Sequence, residues 1–246
     1  MAGLDWLTER PVAHRGLHGN GLIENTLGAA RAAVEANYAN EVDLQLTADN
    51  EVVVFHDDTL DRLTDATGPV AARTLAQLKQ VAIRGSNERI PTLQELLDTV
   101  GGRTALVLEL KSGWDGDDRL TARTADIIKG YEGPVVCMSF DPQVLVDLQK
   151  YAPGLPRGIV AERYYDHPDW APLGAGRKFR LGNLLHFNRT RPHFVAYYVR
   201  DLPAFAPLVA RYLLGMKLLT WTIRTDAERS KARRWANQMI FEGFRP

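Results

Sequence analysis

Nine short β-rich runs punctuate the chain, and helical stretches separate most of them. The runs are Pro11–His14, Glu41–Thr47, Val52–His56, Ala105–Lys111, Val135–Phe140, Arg157–Ala161, Phe194–Tyr198, Leu218–Ile223 and Met239–Phe241. Most are rich in Val, Ile and Leu with little alternation, the pattern of parallel strands covered on both faces. Asn25–Tyr38, Leu120–Ile128 and Asp226–Trp235 read as helices between them. Thr92 and Glu95 form a capping box ahead of Leu96 and Leu97, and Asp141-Pro142 caps a helix over Val144–Tyr151. About eight such units in a chain of this length predict a (β/α)₈ TIM barrel, an α/β fold, with a doubly wound open sheet as the alternative. The spare run is Val52–His56, because too few residues precede it for a crossover helix. Glu41–His56 therefore predicts an antiparallel hairpin at the barrel rim. A two-residue turn at Asp49-Asn50 would pair position 43 with position 56.

The chain has 246 residues, enough for one large domain, and its 30 basic and 30 acidic side chains cancel. Zero net charge argues against a nucleic-acid partner held by bulk positive charge. No apolar run approaches the roughly 18 residues of a membrane span. The N-terminus lacks the basic and apolar regions of a signal peptide. A lone Cys137 excludes a disulfide framework and a cysteine-rich zinc site, so a cytoplasmic setting is expected.

Polar residues gather at the ends of the apolar runs. Glu41 and Asp43 share one strand face, where two carboxylates repel unless a cation or proton sits between them. Alone, such a pair also fits a strand with a polar face to water. His14 and Arg15 end the first run, His56 ends another, and Glu109 and Lys111 share a face of the very apolar Leu106–Lys111 segment. Glu109 and Lys111 taken singly fit a mutual ion pair, and each histidine fits a structural role. Four polar strand ends together point instead to chemistry at one barrel rim. Three carboxylates (Glu41, Asp43, Glu109) suit one hard divalent cation, Mg²⁺ or Ca²⁺. Arg15 and Lys111 suit an anionic oxygen such as phosphate. Two histidines can divide the roles of base and acid. Such a set describes phosphodiester cleavage better than acyl transfer, for which no Gly-x-Ser-x-Gly elbow is present.

The motifs stand in a recognisable order: Ala-His-Arg-Gly at 13–16, Glu-Asn-Thr at 24–26, Glu-x-Asp-x-Gln-x-Thr at 41–47 and Val-x-x-His-Asp at 53–57. Ile-Pro-Thr-Leu-x-Glu at 90–95, Glu-x-Lys at 109–111 and Trp-Thr at 221–222 follow. This series closely resembles the glycerophosphodiester phosphodiesterase family from Pro11 onward, most strongly over residues 11–111. The resemblance implies one barrel domain over residues 1–246 with a small insertion of about 57–100. It implies a metal-dependent hydrolase of lipid and glycerol metabolism that releases glycerol 3-phosphate and an alcohol from a small glycerophosphodiester. By the same resemblance His14 and His56 are the acid/base pair, Glu41, Asp43 and Glu109 hold the metal, and Arg15 and Lys111 contact the phosphate. Glu24 stands where the family has a polar residue near the metal, and Trp221 is a further site contact. A lysophospholipase D or other phospholipase-type activity uses the same residues, and a non-catalytic phospholigand-binding barrel is the reading from another class.

One departure from the family pattern lies at the end. The usual Gly-Ile-Ile-Thr-Asp run is replaced by Gln238-Met239-Ile240-Phe241-Glu242-Gly243-Phe244, with Glu242 the candidate substitute for the missing Asp. His18, in the glycine-rich loop after His14, is a candidate substrate contact or a solvated loop residue. Tyr164, Tyr165, Trp170 and Phe179 either line a pocket mouth or pack.

Overall fold

The computed structural model describes residues 3–164, 170–171 and 173–246. Its strands are β1 (Val12–Ala13), β2 (Ala39–Leu46), β3 (Val52–Val54), β4 (Leu106–Leu110), β5 (Val135–Ser139), β6 (Arg157–Ala161), β7 (Phe194–Tyr198), β8 (Lys217–Ile223) and β9 (Gln238–Phe241). All except β3 pair in parallel, from β1 through β2 and β4 to β9, and β9 returns to β1. That return closes a TIM barrel and excludes the open sheet.

Between the strands lie α1 (Leu27–Glu35), α2 (Leu75–Leu78), α3 (Leu93–Val100), α4 (Arg119–Ile128), α5 (Pro142–Tyr151), α6 (Ala175–Gly182), α7 (Phe187–Thr190), α8 (Phe205–Tyr212) and α9 (Asp226–Trp235). Local chemistry sets their starts. Thr92 accepts from the Glu95 amide while Glu95 accepts from the Thr92 amide, the expected capping box. Asp141 accepts from the Gln143 amide ahead of Pro142 at the first helical position. The sequence reading did not anticipate α6 or α8. In α8, Pro207 reads as a breaker, yet it falls in the first turn, where its missing N–H has no intrahelical partner to lose.

The extra strand is the expected hairpin, antiparallel to β2, but its register differs by one residue. Leu44 faces Val54, so Asp43 stands opposite Phe55 and not His56. The cause is a three-residue turn, Ala48-Asp49-Asn50, with Asn50 left-handed at φ 61°. The Thr47 hydroxyl donates to Asp49, and its amide bonds to the Glu51 carbonyl. His56 therefore leaves the ladder. Residues 55–90 follow β3 and bury a small cluster of their own, with Phe55, Leu60, Val70, Leu78, Ile83 and Ile90 around Val53.

Alternate residues on each strand point into the barrel. The lower interior is apolar: Leu7, Val12, Val107, Phe194, Leu219 and Ile240 belong to one buried cluster. Gly158 makes room for the Phe194 ring, which a Cβ at 158 would meet at 2.3 Å. Filling this floor matters, since deleting a buried phenyl ring costs about 3–5 kcal/mol. The neighbouring face of β2 and β4 carries Val42, Leu44, Leu106 and Leu108 outward against Leu93 and Leu97 of α3. The inward alternation continues upward and changes character. Two residues beyond Val12, Val107 and Ile240 stand His14, Glu109 and Glu242. Packing below and chemistry above are successive positions of the same strands.

Candidate active site

A cleft of about 980 Å³ opens at the C-terminal ends of the strands. His14, Arg15, Glu41, Asp43, His56, Glu109, Lys111 and Trp221 all line it. Eight residues singled out from the sequence thus meet in one place. Glu24 and His18 lie beside them, bonded to or near cleft residues.

Glu41, Asp43 and Glu109 are buried, and their ligand oxygens lie within 4.8 Å of one another. Lys111 Nζ bridges two of them, at 2.9 Å from Asp43 Oδ1 and 2.8 Å from Glu109 Oε1. Arg15 Nε is 3.4 Å from Asp43 Oδ2, and the Arg15 amide donates to Glu41 Oε2 at 2.9 Å. Arg15 is left-handed at φ 54°, which aims its amide and side chain at different carboxylates. Gly16 follows at φ 78°, and a Cβ there would meet Ala29 Cβ of α1 at 2.8 Å. Asn25 donates to Asp43 Oδ2 and accepts from the Asp43 amide, so the start of α1 locks β2.

The electrostatics separate Asp43 from Glu41. Burial raises Asp43, but Lys111, His56 and Arg15 outweigh it and hold Asp43 well below the usual range. Burial, then the charges of Asp43 and Glu109, push Glu41 well above its usual value. Glu41 has less cationic support than Asp43, which takes the contacts of Lys111 and Arg15. An all-oxygen set of three buried carboxylates fits a hard divalent cation.

Each histidine is held from behind. His14 Nδ1 lies 2.7 Å from Glu242 Oε2, while its Nε2 faces Glu41 Oε2 at 4.0 Å. Burial pushes the His14 ring down in pKa, against the contact with Glu242. His56 Nδ1 lies 2.7 Å from Asp57 Oδ1, and Arg62 grips that carboxylate through Nε at 2.6 Å and NH2 at 2.8 Å. Burial raises Asp57, but hydrogen bonds from Arg62 and His56 prevail and bring it to about 2. Glu24 is a strut: it accepts from Arg15 at 2.7 Å and from Arg62 at 2.7 and 3.0 Å.

His18 Nε2 is buried with no hydrogen-bond partner among the described residues, and a ring nitrogen of His18 lies within 4.8 Å of ligand atoms of His14 and Glu242. Trp221 spends its indole N–H on the Ala196 carbonyl and stacks near Phe140 and Tyr198. Trp114, Phe140 and Trp170 continue this aromatic side of the cleft. Tyr164 packs in the core, Phe179 is exposed, and Tyr165 lies outside the described residues.

Three cleft-side residues escaped the sequence reading. Glu162, which accepts from Trp170 Nε1, follows Val160 by two just beyond β6, and alternation alone would have found it. Arg224 bonds Glu242 from just beyond β8. Arg62 comes from the excursion after β3, where no periodicity points to the site.

The chain matches the model of the "Glycerophosphoryl diester phosphodiesterase family" over residues 14–244. A glycerophosphodiester phosphodiesterase of Caldanaerobacter subterraneus subsp. tengcongensis is 36% identical over 61% of this chain and 65% of its own length. One from Bacillus subtilis is 31% identical over 95% of this chain and 83% of its own length. Among solved structures, an Oleispira antarctica phosphodiesterase in complex with the product sn-glycerol-3-phosphate superposes with a TM-score of 0.78. It is 24% identical, covering 94% of this chain and 91% of that one. A glycerophosphodiester phosphodiesterase of Thermotoga maritima gives a TM-score of 0.72 at 23% identity, covering 95% and 94%.

Proposed function

Because the chain belongs to the glycerophosphoryl diester phosphodiesterase family, a family of phosphoric diester hydrolases, we propose that it hydrolyses small glycerophosphodiesters to glycerol 3-phosphate and an alcohol. The observation that carries this reading is the buried Glu41–Asp43–Glu109 cluster with a histidine, backed by its own carboxylate, on either side. Those three carboxylates would hold one divalent cation, Mg²⁺ or Ca²⁺, which would supply positive charge for a phosphate oxygen.

The side chains have separate tasks. Arg15 and Lys111 bind the phosphate, trading part of their contact with Asp43, Glu24 and Glu109 for its oxygens. His14 and His56 carry protons. One ring starts neutral and takes the proton of the attacking oxygen; the other starts protonated and gives one to the leaving alkoxide. In each ring Nδ1 is engaged by a carboxylate, so Nε2 is the nitrogen free to exchange a proton. The attacking oxygen is that of water, or it is the 2-hydroxyl of the substrate's own glycerol, which expels the alcohol to form a cyclic phosphate that water then opens to glycerol 3-phosphate. Trp221 and the aromatic residues beside it lie against the leaving alcohol.

That aromatic side favours one second reading, a lysophospholipase D activity in which the group beside it is apolar. The lone Cys137 is buried and unpaired, which suits the reducing cytoplasm. Among the described residues no helix is long and apolar enough to cross a membrane.

Product release from a panel of glycerophosphodiesters and lysophospholipids, with Mg²⁺, with Ca²⁺ and with chelator, tests the reading. Glycerol 3-phosphate should appear only with metal. Tight binding without turnover under every metal would reduce the protein to a phospholigand-binding barrel.

A further inference from the structure

We propose that Glu242 is a positioning residue for His14, fixing its tautomer so that Nε2 carries the lone pair into the cleft. This rests on the reading of His14 as a proton carrier.

The placement is set by the seam of the barrel. β9 lies beside β1 with Val12 opposite Ile240 and Ala13 opposite Phe241. One further step brings His14 level with Glu242, and both point inward two residues after an apolar neighbour. Both backbones are tied there, the His14 amide to the Phe241 carbonyl and the Glu242 amide to the Ile223 carbonyl, each at 3.0 Å. Glu242 Oε2 then lies 2.7 Å from His14 Nδ1. An ionised carboxylate only accepts hydrogen bonds, so Nδ1 bears the hydrogen and Nε2 is left as the base nitrogen. Arg224 NH2 donates to the same Oε2 at 2.8 Å, which stops the carboxylate from swinging away.

A metal between His14, His18 and Glu242 is the competing reading of this trio. Tetrahedral ligands at 2.0–2.1 Å from zinc stand about 3.3 Å apart. The 2.7 Å contact is closer than that, and a guanidinium already occupies the carboxylate. The geometry is that of a hydrogen bond.

The test uses the full chain with ¹⁵N-labelled histidine, the His14 ring being assigned by its loss in His14→Gln. At a pH where the ring is neutral, the wild type should show the Nδ1–H tautomer. Glu242→Ala should move the ring toward Nε2–H and lower kcat by about 100-fold or more, the scale of a displaced acid/base partner, with KM and metal affinity within a few-fold of wild type. Glu242→Gln keeps an oxygen that Arg224 holds toward His14. It should keep the tautomer and retain most of the rate that Glu242→Ala loses, and it serves as the folded variant if the alanine form does not fold. An unchanged tautomer in Glu242→Ala overturns the proposal while leaving His14 its role. A shifted tautomer with undiminished kcat overturns it by removing His14 from the chemistry. Equal rate losses in the alanine and glutamine forms, with the tautomer kept in both, reduce Glu242 to a charge and overturn it as well.

Discussion

His14 and His56 have the same immediate surroundings: a carboxylate 2.7 Å from Nδ1 and an arginine on that carboxylate. They are assembled in opposite ways. The His56 group is local, since Asp57 is the next residue and Arg62 is five residues further. It sits on the excursion that follows β3, with side chains 32% exposed for His56 and 47% for Arg62. The His14 group joins residues 228 apart across the β1–β9 seam, and its ring is 13% exposed. The local group draws its partners from neighbours in sequence and is tied to the barrel through Glu24, which also holds Arg15. A seam group exists only when the barrel is closed, and it works in a drier place where each bond counts for more.

The largest test removes what the two groups share. Glu41→Ala takes one oxygen donor from the cluster between them, and turnover should fall to background with metal affinity lost, as read by calorimetry and product assay. Residual turnover at more than about a hundredth of wild type would break the shared-site picture.

Next come the histidines themselves. His14→Ala and His56→Ala should each lower the rate by about 10²–10⁴-fold while the fold survives. A substrate with an activated leaving group, such as a nitrophenyl ester, needs little protonation. It should rescue the variant lacking the acid and leave the variant lacking the base inactive. Equal rescue of both would end the division of labour.

A smaller effect separates local from distant assembly. Asp57→Ala should lower kcat by about tenfold, because the more exposed His56 can be oriented by water in place of the carboxylate. A loss matching that of Glu242→Ala would erase the distinction between the two groups.

The smallest effect is in stability. Glu41 is raised above its usual 4.5 in the folded chain. Its ionisation therefore disfavours the folded state, and the penalty grows as pH rises from about 4.5 through the folded pKa. Asp57 has the opposite sign: lowered from 3.8 to about 2, it stabilises above about pH 4, and that contribution is lost as pH falls toward 2. In metal-free protein at neutral pH, Glu41→Gln should raise Tm by a few degrees, and the gain should vanish near pH 4. Asp57→Asn should lower Tm slightly at neutral pH, and the difference should shrink as pH falls through about 2. A Glu41→Gln variant less stable than wild type at neutral pH would contradict the direction given for Glu41.

How far each group was legible in the sequence follows the same division. His56-Asp57 is a contiguous motif at the end of an apolar run, and Glu41, Asp43, Glu109 and Lys111 are strand alternations visible without a structure. Barrel class followed from the β–helix units. Glu242 stood out only as a departure from an expected ending, since barrel closure sets the last strand beside the first but leaves open the register that brings Glu242 level with His14. Arg62 and Arg224 stayed hidden because neither falls on a strand period. The hairpin register slipped because Asn50 tolerates a left-handed backbone, and one extra turn residue moved His56 off the ladder.

The seam has a temporal consequence. A ribosome delivers both histidines, all three carboxylates and eight of the nine strands before residue 238 leaves the exit tunnel. Until β9 slots between β8 and β1, the sheet has two free edges and His14 lacks the acceptor behind it. A prematurely terminated product therefore owns the reactive groups without the carboxylate that holds His14 in line.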